Sequence, residues 1–261
     1  MKRLTFFLVI LVLIGGCGKG PTEEGAAGYG RIKLEAFDAP PPSGVEHIYL
    51  TIREVSVHKE GGGWVTLAEP NTTYDFLELI NGATAALVDT TLEPGHYTQM
   101  RLVLADENEN EIVVDGETHI LFVPSGVQTG VKLNLDFAVE EDELIEIMVD
   151  FDASKSITRT PKRYLLRPTF RAFKKVLSGT VSGTVKDAAG VGIPNALVEA
   201  ITPNDTVSTV TDSTGAYKLI LLEGTYDLKA SAEGYTTADT TYTGVEVGAG
   251  ADLTGYDFVL Q

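Results

Sequence analysis

The chain has 261 residues, with 37 acidic side chains against 20 basic ones and a formal charge of −17. A surface of that sign repels phosphate backbones, which excludes a general nucleic-acid binder. One cysteine leaves no partner for an internal disulfide, so stability must come from ordinary cores, and the length suits one large or two modest domains.

Residues 1–17 read as an address. Met1, Lys2 and Arg3 give a positive start, residues 4–14 are apolar apart from Thr5, and Gly15-Gly16 precede Cys17. The run is too short to cross a membrane, which takes about 20 apolar residues. Ile14-Gly15-Gly16-Cys17 resembles the lipobox of prokaryotic lipoproteins. That resemblance implies a cleaved signal peptide and a diacylglycerol on the Cys17 thiol, hence an anchor of two or more acyl chains. Residues 18–28, GKGPTEEGAAG, read as a flexible tether. The expected location is therefore the cell envelope, extracytoplasmic, at the outer membrane or cell surface.

Beyond the tether, period-two alternation bounded by Gly, Pro, Asn and Asp predicts strands. In residues 47–59, HIYLTIREVSVHK, Ile48, Leu50 and Ile52 share one face before the apolar positions shift to Val55 and Val57. That phase change predicts a β-bulge near Arg53-Glu54. Residues 97–105 alternate through Met100, Leu102 and Leu104, and 131–139 through Leu133, Leu135 and Phe137. Residues 144–152, LIEIMVDFD, place Ile145, Ile147, Val149 and Phe151 inward. One short helix is expected at 75–80, ahead of Asn81-Gly82.

A second block starts near Leu177. Strand-like pieces at 196–202, 216–222, 225–232 and 252–260 are separated by turns at 188–192, 203–205, 212–215 and 233–234, the spacing of a small β-sandwich. Residues 177–261 hold three lysines and no arginine, whereas 159–175 are strongly basic. The expected organisation is all-β: signal peptide 1–17, tether 18–28, a β-rich domain at 29–175 and a β-sandwich at 177–261.

The second block resembles the carboxypeptidase regulatory-like, or transthyretin-like, domain. The stretches that carry this are Ser182-Gly183-Thr184-Val185, Gly192-Ile193-Pro194-Asn195-Ala196, residues 211–217 (TDSTGAY), Gly224-Thr225-Tyr226 and Ala232-Glu233-Gly234-Tyr235. The resemblance implies an accessory sandwich without a catalytic centre, and some relatives bind sugars on exposed aromatics. The first block resembles the domain of unknown function 4382 family of surface lipoproteins. It does so through Asp38-Ala39-Pro40-Pro41, residues 52–58, Asp75-Phe76-Leu77 with Asn81-Gly82, Pro94-Gly95-His96-Tyr97, residues 123–126, residues 149–152 and Lys155-Ser156-Ile157. That resemblance implies a β-rich extracytoplasmic module.

Chemistry-bearing motifs are sparse. His47, His58, His96 and His119 form no zinc signature, and no G-x-S-x-G elbow occurs. Ser125 reads as turn geometry. Asp150 and Asp152 lie on one face of a strand, either as its solvent side or as a buried hydrogen-bond site; paired carboxylates of this kind also serve acid–base chemistry. Trp64, leading Val65 and Leu67, reads as a core anchor, with sugar stacking as the other reading. Asp106, Asn108, Asn110 and Glu117 fall at the first, third, fifth and twelfth positions of a calcium-loop spacing, but Glu111 occupies the glycine position. A polar hairpin turn between two strands accounts for the same residues. Two functions stay open: a noncatalytic, lipid-anchored envelope protein that engages a protein or envelope partner, and a carbohydrate-binding surface lipoprotein. No enzyme activity and no cofactor are expected.

Overall fold

The computed structural model describes residues 28–40, 44–106, 109–124, 130–236 and 241–261. Cys17, residues 18–27 of the expected tether, Asn108 and Ser125 lie outside the described residues.

The first domain stacks two sheets. One is built from β1 (Gly30–Asp38), β5 (Ala85–Leu92), β10 (Leu144–Phe151) and β13 (Phe170–Lys174), in the order β13-β10-β1-β5. The other has nine strands. Seven of them are β2 (Val45–Lys59), β6 (Gly95–Leu104), β7 (Glu111–Val114), β8 (Glu117–Phe122), β9 (Val131–Val139), β11 (Ile157–Arg159) and β12 (Tyr164–Leu166), along the path β11-β12-β8-β7-β2-β6-β9. The remaining two, β3 (Trp64–Ala68) and β4 (Thr72–Asp75), pair with the other edge of β2. Alternation places Ile32 and Leu34 of β1, Ile48 to Val57 of β2, and Met100 and Leu102 of β6 in one shared core. Each fully buried side chain of this size contributes about 1.5–3 kcal/mol.

β2 is the spine, and its phase change is a bulge. Ile52 faces Leu104 and Glu54 faces Val103, so Arg53 is the extra residue. Ile52 and Val55 are consequently both buried. The short helix expected at 75–80 is a single 3-10 turn, Phe76–Leu79, capped by the Asp75 carboxylate, which accepts the Leu77 N–H (3.2 Å).

The loop after β6 differs from the expected hairpin. β6 and β7 do not pair with each other; both run antiparallel along the same side of β2. The chain leaves that side after Ala105 and returns at Glu111. Asn110 fills the gap, since its Oδ1 accepts the Thr51 N–H (3.1 Å) and its Nδ2 donates to the carbonyls of Ala105 (3.1 Å) and Asp106 (3.2 Å). A side-chain amide carries both a donor and an acceptor, so it replaces the missing strand backbone.

The second domain is a smaller sandwich. One sheet joins β14 (Ser178–Asp187) to β17 (Ala216–Leu222), β20 (Asp252–Leu253) and β21 (Phe258–Leu260). The other is formed by β15 (Leu197–Ile201), β16 (Thr206–Val210), β18 (Gly224–Ser231) and β19 (Tyr242–Val247), in the order β16-β15-β18-β19. The strand expected at 252–260 is split. Tyr256 presses its carbonyl against Gly183, where an added Cβ would overlap it, and Asp257 accepts the Thr184 N–H (2.8 Å). The 212–215 turn forms as expected. Asp212 Oδ1 accepts from Thr214 N (2.8 Å) and Ala216 N (3.1 Å), while Gly215 adopts φ 82° against the Val185 carbonyl. These hydrogen bonds, that of Thr214 Oγ1 first, hold the Asp212 carboxyl below its usual range.

Candidate functional site

Alternation along β10 allows its outer face to be polar and solvated, but the outer residues Met148 and Asp150 are buried. The second domain covers them. Phe37 of β1, Met148 and Phe173 of β13 pack together with Ile220 of β17, which forms a small apolar seam between the sandwiches. Phe37 and Phe173 meet edge to face, with centroids 6.1 Å apart.

Polar contacts frame this seam. Arg171 binds Asp150 of its own domain and Asp205 of the second domain. Lys155 adds a contact to Asp205 at 3.2 Å. At the other end Asn81, held at φ 57° after the 3-10 turn, donates its N–H to Thr209 Oγ1 (3.0 Å) and its Nδ2 to the Ala216 carbonyl (3.3 Å), and its Oδ1 accepts the Lys218 N–H (2.5 Å). One residue therefore bonds both sheets of the second domain. Between the two ends lies a cavity of about 10 Å³, with Asp38, Asp150, Asn81 and Thr209 on its wall. That is room for about one water. Two carboxyl oxygens, Asp38 Oδ2 and Asp150 Oδ1, are buried without a hydrogen-bond partner. Burial pushes Asp38 well above the usual carboxylate range; the Ala153 N–H opposes this and the charge of Asp150 adds to it.

The carboxylates read as a same-face pair take separate structural roles. Asp150 belongs to β10 and is bound by Arg171, whereas Asp152 lies past the strand end and caps a four-residue helix, α1 (Ala153–Ser156). It accepts from Lys155 N (3.0 Å) and Ser154 Oγ (2.7 Å). Burial disfavours its charge, but these bonds and the Lys155 ammonium outweigh that and hold it below the usual range. Both carboxylates are thus occupied by structure, and the solvent-face reading of the pair gives way to the hydrogen-bonded one.

Three of the four calcium candidates, Asp106, Asn110 and Glu117, lie among the described residues. Asp106 and Glu109 both reach Arg53, at 3.4 Å and 2.5 Å. The Asn110 amide is fully buried with its oxygen committed to Thr51, and Glu117 begins the second strand of the β7–β8 hairpin. Among the described residues, no group of three His, Cys, Asp or Glu side chains forms a metal-ligand set.

Trp64 is not a core anchor. It is half-buried on β3, with Arg101 lying 4.6 Å from its ring centroid and His58 meeting it edge-on at 5.3 Å. The Arg101 guanidinium lies over one face of that ring. His96 bridges Glu60 (2.8 Å) and Asp136, and these two carboxylates raise its pKa. His47 binds Asp75 at 2.5 Å. In the second domain Tyr217 and Tyr226 are core residues, Tyr242 and Tyr256 pack on each other, and Tyr235 is exposed.

Sequence reasoning missed Asn81, Arg171 and Asp205 as seam residues. Asn81-Gly82 was legible only as a turn, and Arg171 as one charge in a basic run. The signal available was positional: a non-glycine residue tolerating positive φ beside a glycine.

Comparison with known proteins matches residues 29–168 to the Domain of unknown function (DUF4382) and residues 180–261 to the Carboxypeptidase regulatory-like domain. A viral relative, "Structural protein 27" from a virus of isolate Australia/Victoria, is 45% identical over 60 residues, which is 23% of this chain and 11% of that protein. This chain thus spans only a small part of that relative. The Bacillus anthracis TIE protein aligns at TM-score 0.29 and 17% identity, covering 89% of this chain and 34% of that one. The shaft pilin SpaA from Lactobacillus rhamnosus GG aligns at 0.26 and 9%, covering 89% of this chain and 97% of that one. The minor pilin GBS52 from Streptococcus agalactiae aligns at 0.27 and 12%, covering 88% and 96%. With its first domain matched over more than half of the chain, the protein belongs to the family of the Domain of unknown function (DUF4382), joined here to a carboxypeptidase regulatory-like domain.

Proposed function

We propose that this is a noncatalytic cell-envelope protein, lipid-anchored through Cys17, that holds two β-sandwiches outward as one unit for a protein or envelope partner. The observation that carries this reading is the use of the chemical side chains. Asp150, Asp152, His47 and His96 are each engaged in holding strands, turns or domains together. The charged start, short apolar run and Gly-Gly-Cys of residues 1–17 support the anchor.

The test has two arms. Metabolic labelling with a fatty-acid analogue marks the wild type and spares Cys17→Ser; equal labelling of both removes the anchor from the proposal. A glycan array on the folded protein separates the partner classes. Specific glycan retention favours the carbohydrate-binding reading, for which Tyr29 and Tyr235 are exposed aromatics among the described residues.

A further inference from the structure

Some cations of this acidic chain stand beside carboxylates: Arg31 on Asp89, Arg53 on Glu109, Arg101 on Glu54, Arg171 on Asp150 and Lys175 on Glu35. At the end of the nine-stranded sheet, three cations outside such pairs are gathered in one hairpin. β8 and the β11–β12 hairpin enclose a cleft of about 440 Å³ lined by Thr118, His119, Arg159, Lys162, Arg163 and Tyr164. Arg159, Lys162 and Arg163 are exposed and, among the described residues, have no carboxylate at ion-pair distance. Glu117 stands at the rim, 3.9 Å from His119.

The cleft is built rather than incidental. The hairpin turn is locked from both sides: Thr160 N donates to the Arg163 carbonyl (3.0 Å), Thr160 Oγ1 donates to the same carbonyl (2.7 Å), and Arg163 N donates to Thr160 Oγ1 (3.1 Å). Pro161 fixes φ within that turn. The guanidiniums rest on aromatic faces, Arg163 at 4.4 Å from the Phe122 centroid and Arg159 at 5.7 Å from that of Tyr164. Stacking holds each planar group while leaving its N–H edge free, and that edge matches two oxygens of a phosphate.

We propose that this cleft binds a phosphate ester, presented singly rather than as a long polyanion. Two guanidiniums and an ammonium in one pocket suit a compact doubly charged oxyanion. The −17 charge of the whole chain opposes an extended one, because repulsion from the remaining surface acts over roughly a Debye length, about 10 Å at 0.1 M salt. A free phosphate monoester and the monoester headgroup of phosphatidic acid offer the same chemistry.

The experiment uses the full chain and three probes: inorganic phosphate, glycerol phosphate, and phosphatidic acid–phosphatidylcholine vesicles with pure phosphatidylcholine as the control. Calorimetry and melting temperature are read at low salt, with chloride at matched ionic strength. Saturable binding of at least one phosphate probe is expected, weakening about tenfold for each of Arg159→Ala and Arg163→Ala, or about 1.4 kcal/mol each. Lys162→Glu should abolish it, and Lys229→Ala on the other domain should leave it unchanged. Binding of glycerol phosphate without vesicle binding assigns a soluble ester; binding to anionic vesicles alone assigns a headgroup. No heat and no melting shift with any probe, or equal binding by wild type and the Arg159→Ala/Arg163→Ala double variant, overturns the proposal.

Discussion

Asn81 of the first domain accepts the backbone N–H of Lys218 at 2.5 Å, and the Lys218 methylenes in turn lie along Gly82. The two domains are therefore joined by backbone, not only by flexible charged tips. Asn81→Ala removes two side-chain hydrogen bonds across the seam and places a Cβ-bearing residue without a local polar partner at φ 57°. A loss of about 2–3 kcal/mol is expected. Asn81→Gly relieves the φ cost and should recover about 1 kcal/mol of it. Urea unfolding of the three proteins checks the order; an alanine variant as stable as wild type would remove the seam from the stability account.

The Asp38 carboxyl gives a pH signature. Its folded-state pKa is raised, so the folded state holds a proton that the unfolded state releases. Its burial costs nothing below the unfolded value near 3.8, and stability is lost as pH rises from there through the folded value. Asp38→Asn should therefore gain on wild type as pH increases, by up to about 1.4 kcal/mol per pH unit until the gain levels off. Melting curves from about pH 4 to about pH 9 test this, spanning the unfolded carboxyl value and the range above it. A constant difference across that range would mean that Asp38 is not the group responsible.

Asn110 should be among the least replaceable polar residues of the first domain. Asn110→Ala leaves the Thr51 N–H and the Ala105 carbonyl unpaired in a buried place, and a loss of about 2–4 kcal/mol is expected. Millimolar calcium should leave the wild-type melting temperature where it is, because the Asn110 oxygen faces Thr51. A calcium-induced rise that disappears in Asp106→Ala would restore the metal reading.

Trp64 is the chain's single tryptophan, so its fluorescence reports one site. Arg101→Ala uncovers the ring and should shift its emission to the red. It also removes the ion pair to Glu54, with both side chains about a quarter exposed or less. A modest loss of about 1 kcal/mol is expected. Unchanged emission would place the Arg101 guanidinium away from the ring.

The second domain should stand alone. Residues 177–261 contain their own buried cluster, from Val181 and Val185 to Phe258 and Leu260. Expressed separately, this segment should show strand-type circular dichroism and a cooperative melt; a disordered product would tie its folding to the first domain.

Most of the sandwich pattern was legible because side chains alternate wherever one face meets a core and the other meets water. The bulge at Arg53 and the turn at Asp212 were legible for the same local reason. Where a second layer intervenes, alternation misleads. Met148 and Asp150 occupy polar-face positions of β10, yet the neighbouring domain buries them, and nothing within residues 144–152 encodes that cover. β16, TVSTV, gave little apolar signal because its Thr209 is a seam residue that hydrogen-bonds Asn81. The return of β7 to the same side of β2 depends on one amide reaching across 59 residues to Thr51. The cations of the cleft were legible as part of the basic run at 159–175, but only the parallel pairing of β12 with β8 sets their hairpin beside residues 118–120.

The seam also has a consequence in time. A ribosome delivers Phe37, Met148 and Phe173 well before Ile220, so a first sandwich that closes early waits with this patch bare. Asp150 and Arg171 border the patch and would be hydrated and charged during that interval, which disfavours contact between two unfinished chains. Arrival of the second sandwich strips that water away and leaves Asp150 Oδ1 and Asp38 Oδ2 sealed inside. Asp150 thus acts as a guard of the nascent chain and as a standing cost in the finished one.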